Sequence, residues 1–147
     1  MSQQTEIIAG LEHLAQHFVR SVQSQLGIEL EYNHVAVKWL NTYIEQIRPN
    51  YAPEQVPPNL VQSLGAFLGA CIIANYGGRW GHEHESNDWG IALPVQGGDI
   101  WIYPFNKVYK HIAAGEEHSV RMFYEAIPNL IDPSRNWGGP QSIELTT

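Results

Sequence analysis

Basic residues are scarce in this chain: eight Lys and Arg stand against 15 Asp and Glu, a net charge of −7. A protein that grips a nucleic-acid backbone needs a basic stripe to displace counterions, and none is visible, so nucleic acid is not an expected partner. Cysteine is scarcer still. The one thiol, Cys71, excludes an internal disulfide framework and a cysteine-based zinc site. Its place in an apolar helix marks it as a small core hydrophobe, not a nucleophile. Met1 to Glu6 is polar, with no basic segment leading into an apolar one, so no signal peptide is expected. No run reads as long enough to cross a bilayer, so a membrane partner is not expected either, and the cytoplasm is the expected location. A Gly-x-Ser-x-Gly elbow, a phosphate loop with its Lys and a His-Glu-x-x-His helix are all missing.

What is present describes one globular domain. The 147 residues suffice for a full core, and the 44% apolar and 16% charged content argues against disorder. Ile7, Leu11, Leu14, Ala15, Phe18, Val22 and Leu26 fall on one helical stripe that Gly27 stops. His13 and His17 lie four apart on the opposite face and read as exposed polar positions, since two ligands without a third hold a metal weakly. A second helix is expected from Asn33, its cap, to Arg48, with Pro49 ending it. "RPNYAPEQVPPN" then carries four prolines and reads as an extended surface crossing. A third helix, Pro58 to Tyr76, is apolar nearly all round and belongs in the middle of the domain. Gly65 and Gly69 in it are four apart and would let another backbone approach closely, which reads as tight packing and not as membrane dimerisation.

Strands follow. They are expected at Arg79 to Glu85, Trp89 to Val95 and Ile100 to Tyr103, joined by turns at Ser86-Asn87-Asp88 and Gln96-Gly97-Gly98. A short helix closed by Gly115 comes next, then a last helix from Glu116 to about Ile127, which Pro128 kinks or ends. The fold class is therefore α+β, a small antiparallel sheet of about three strands among about five helices, with helix 58–76 central. Residues 1–131 form the domain and 132–147 an irregular tail.

The stretch "GGRWGHEHESNDWG" is the one that resembles chemistry. On a strand, His82 and His84 share one face and Glu83 and Glu85 the other. Two histidines so placed can both reach a zinc ion, with Glu83 or Glu85 as base. A catalytic zinc needs a third protein ligand, for which His111, His118 and Asp88 are candidates. The preferred reading is a polar hairpin rim, because two histidines supply only half a coordination shell. A pH-sensitive interface is a further alternative.

The order "LGAFLGACIIANYGGRW", then "WGIALPVQGGDIWIYPFNKVYKHIAAGEEHSVRMFYEAI", resembles a scattered group of small bacterial domains of unknown function. The likeness covers roughly residues 60 to 127. It rests on Gly65, Gly69, Gly78, Trp80, Trp89, Pro104, Lys107, Val108, Lys110, Gly115, Glu116, Phe123 and Tyr124. These are mostly positions that specify fold, and the resemblance implies no particular activity.

Three functions stay open. The first is a non-enzymatic module that binds a protein partner, because the β region is aromatic, the surface acidic and no catalytic set complete; immunity and accessory proteins are an analogy. The second is a zinc or other metal site at His82 and His84. The third is a small-ligand site at Trp80, Trp89, Trp101 and Tyr103, since pockets are mostly apolar with few polar anchors. The apolar third helix would also suit a homodimer.

Overall fold

The fold is a computed structural model and describes residues 3–133. Helix α1, Gln3–Leu26, packs its apolar stripe on α3, Pro58–Tyr76. Gly27 ends α1 at φ 71, a conformation that costs glycine little. Helix α2, His34–Ile47, opens at Asn33, whose Oδ1 accepts the Ala36 N–H at 2.9 Å. The proline-rich crossing contains two 3-10 turns, Arg48–Asn50 and Pro53–Gln55, and places proline at the first turn of α3, where a missing N–H costs nothing.

α3 is the hub. It contacts α1, α2, α4 (Pro104–Ala114) and α5 (Val120–Ile131) and buries Leu64, Phe67, Leu68, Cys71 and Ile72. By length and composition it is long and apolar enough to cross a membrane, contrary to the expectation that no run qualifies; within the fold, 44% of that stretch is buried. Its glycines explain the close packing. A Cβ at Gly65 would lie 2.4 Å from the Phe105 ring, and one at Gly69 would lie 2.2 Å from the Trp80 ring. The pair of glycines thus admits the head of the fourth helix and the first strand.

The sheet is an antiparallel meander of β1 (Arg79–Glu83), β2 (Asp88–Val95) and β3 (Gly98–Ile102). Register pairs Trp80 with Ile91 and Ile91 with Ile102, which sets these three on the core face. Gly81 pairs with Gly90, and Ala92 with Trp101, on the other face. β1 stops two residues short of the expected Glu85. The Glu83 carboxylate accepts the Ser86 N–H at 2.6 Å, and Asn87 takes φ 60, so residues 84–87 form a turn. β3 begins at Gly98, not Ile100, because Gly98 still pairs with Val95; Tyr103 has left the ladder to precede the next helix.

Helix α4, Pro104–Ala114, ends at Gly115, which has φ 106. The expected helix from Glu116 to about Ile127 is displaced. Glu116–His118 is a separate 3-10 turn, and α5 runs from Val120 to Ile131. Ser119 sets that start, its Oγ accepting the Met122 N–H at 3.2 Å. Pro128 lies within α5, in its last turn, where its carbonyl still accepts the Asp132 N–H at 3.0 Å. Of the expected tail, residues 134–147 lie outside the described residues.

Candidate functional site

His111 is fully shielded from solvent, an unusual place for an imidazole. Its Nδ1 accepts the Val120 N–H at 3.2 Å, so the proton sits on Nε2, which donates to the Glu45 carboxylate at 2.7 Å. Burial holds the imidazole below its usual range, against the opposing pull of Glu45 and Glu116. One turn earlier on α2, Asn41 Oδ1 accepts from the Ser119 hydroxyl at 2.6 Å and from the Arg121 N–H at 3.1 Å. Arg48 Nε donates to the His111 carbonyl at 3.3 Å. Asn41, Glu45 and Arg48 thus lash the α4–α5 junction to α2. Both imidazole nitrogens are engaged, so in this arrangement the His111 ring has no free lone pair and acts as a tie between elements. Its candidacy as third ligand to the hairpin histidines ends there.

The hairpin places His82 and Glu83 at the end of β1, with His84 and Glu85 in the turn. The rings of His82 and His84 meet edge to face at 6.1 Å, and His82 also faces Trp89 at 6.0 Å. The Ser86 hydroxyl, then its N–H, hold Glu83 below the usual carboxylate range. Among the described residues, no three His, Cys, Asp or Glu side chains gather where they could hold a metal ion. On α1, His13 and His17 are both exposed.

The four aromatics expected at a ligand surface separate. Trp80 is 5% exposed, stacked on Phe105 at 5.3 Å and 24°. Trp101 lies on the opposite sheet face, its ring over Gly81. Trp89 and Tyr103 do share a site: a cleft of about 700 Å³ between the start of α1, the entry to α3 and the head of α4. Phe105 and Tyr109, one turn apart on α4, supply the other aromatic walls, and Ile7, Leu11, Val56 and Val61 the aliphatic ones. Each aromatic is braced, Trp89 by the His82 ring at 6.0 Å. Phe105 rests on Trp80, which rests on Gly69. The Tyr109 hydroxyl donates to the Pro53 carbonyl at 2.9 Å, and the Tyr103 and Ser86 hydroxyls lie 3.4 Å apart.

The polar lining is sparse: Gln62, Asn106 and Asp88, all exposed and with no side-chain partner among the described residues. Among the described residues, Asp88 is the one charged side chain of the lining, which contains no Lys or Arg. Sequence reasoning missed Phe105, Tyr109 and Ile7. The i, i+4 spacing of the two aromatics was the available signal.

Cys71 takes no part in the cleft. Burial pushes its thiol up to about 12. Native protein should therefore leave a chromogenic disulfide reagent unreacted over hours and react fully once unfolded in guanidinium. Prompt labelling of the native chain would show that α3 opens readily.

No family model, curated protein or solved structure matches the chain.

Proposed function

We propose that this chain is a binding module that holds a segment of a protein partner in the Trp89–Tyr103–Phe105–Tyr109 cleft. The observation that carries this reading is a braced aromatic cleft whose only charge among the described residues is a carboxylate, on a chain of net charge −7. Braced aromatics bury large areas with little side-chain entropy left to lose, which is what makes them binding anchors. An acidic surface steers a basic partner toward them.

Site-specific photocrosslinking in the source cells tests this. A benzophenone amino acid is placed at Gln62 or Asn106 on the cleft rim, and at His13 or Thr42 as controls. The expected result is one discrete protein adduct from both rim positions and none from the controls. Equal adducts at all four positions, no adduct, or an adduct of twice the chain mass would each overturn the reading; the last would make the cleft a self-association site.

A further inference from the structure

We infer that the segment the cleft accepts is extended and bears a basic side chain beside apolar or proline residues, the cation meeting Asp88; this rests on the cleft being the partner site.

Three features of the lining support it. The first is charge. Among the described residues, Asp88 stands without a side-chain partner at the cleft, and no Lys or Arg lines it. A basic group entering there gains a charge-assisted hydrogen bond, whereas an acidic one meets repulsion. The acidity continues past Asp88. Tyr103, a cleft wall, reaches with its hydroxyl the turn that carries Glu85 and follows Glu83.

The second feature is the pair of carboxamides, Gln62 and Asn106, which have no side-chain partner among the described residues. Each is both donor and acceptor, the complement of a main-chain amide. A helical occupant has its amides satisfied internally and would leave these two groups idle. An extended occupant presents unpaired N–H and C=O groups for them to engage.

The third feature is the succession of aromatic faces. Grooves of this kind accept extended and polyproline-type segments because such segments are already stiff and give up little freedom on docking. The volume, about 700 Å³, takes a few side chains and not a folded surface.

The experiment is selection from a display library of random twelve-residue peptides, against the whole chain and against Asp88→Arg and Asn106→Ala variants. Both substituted positions are exposed, and far-ultraviolet circular dichroism checks that both variants fold. The expected winners carry Arg or Lys next to Pro or aromatic residues. A synthetic winner should lose about tenfold in affinity for Asp88→Arg, while its Arg→Glu counterpart recovers binding to that variant. Asn106→Ala should weaken the winner by a few fold. Neutral or acidic winners, no enrichment, or basic winners indifferent to Asp88→Arg would each overturn the inference. If rim photocrosslinks still form a protein adduct in that case, the partner reading survives and only the chemistry assigned to the partner falls. If adducts are absent as well, both fall.

Discussion

Gly69→Ala is expected to lower the unfolding free energy by roughly 1–3 kcal/mol, the usual cost of overpacking a filled core. In an exposed helix the same change would help, because alanine gains about 1 kcal/mol over glycine there. The sign therefore depends on what the new methyl meets. At Gly69 it meets the Trp80 ring at 2.2 Å and 2.4 Å, closer than any Cβ contact that atoms tolerate. The ring is 5% exposed and stacked on Phe105, so any retreat breaks that stack. Relief would require β1 or the head of α4 to move. Gly10→Ala is the matched control. A Cβ there meets nothing within 4 Å, and the position is an exposed turn of α1. It should stabilise by about 0.5–1 kcal/mol. Urea melts of both variants test the pair, and a Gly69→Ala midpoint that rises alongside that of Gly10→Ala would refute the close approach of Trp80 to α3.

Mild acid should weaken the fold through His111. Burial depresses the folded pKa of this imidazole below its ordinary value. As pH falls, the unfolded chain takes up the proton first, so stability rises with pH over that interval. The contribution is fully present above about pH 6.5 and is lost progressively below it, down to the depressed folded value. The groups facing the ring pull in opposite directions: Glu45 and Glu116 favour the proton, while Arg48 and burial oppose it. Geometry agrees with burial, because a protonated Nδ1 would confront the Val120 N–H that it now accepts. His111→Ala should cost about 2–4 kcal/mol at pH 7.5, combining a cavity, an unpaired Val120 N–H and a Glu45 carboxylate without its donor. It should also flatten the stability profile between pH 6.5 and 5. If wild type and variant lose the same stability over that interval, the acid sensitivity lies elsewhere.

Much of the fold was legible because the deciding interactions are local. The bounds of α3, Pro58–Tyr76, follow from a proline start and a Gly77-Gly78 stop, and the Asn33 cap and the Gly27 and Gly115 stops are read from neighbouring residues. The misses share a different cause. Ser119 starts α5, with its hydroxyl donating to Asn41, 78 residues away in the chain, and no window around Glu116 reveals that bond. β1 ends early because Glu83 folds its carboxylate back onto Ser86, whereas alternation alone continues the strand. The aromatics looked like one surface because their spacing is short. Register then sends Trp80 and Trp101 to opposite faces, and burial removes Trp80 from solvent. The cleft itself gathers residues from α1, the crossing into α3, β2 and α4, so its existence is a property of packing, and the spacing of Phe105 and Tyr109 hints at one wall alone.

The proline-rich crossing between α2 and α3 has a bearing on how tightly the cleft can bind. Val56 and Pro58 line it, and Pro53 is tied to Tyr109. A wall made of ordinary loop would have to freeze when a partner arrives, and each ordered residue would subtract from affinity. Proline has already surrendered that freedom in the unfolded chain, so this wall is stiff before anything docks. The entropy of shaping the cleft is thus charged to folding, leaving the contact energy of an incoming segment nearly undiminished.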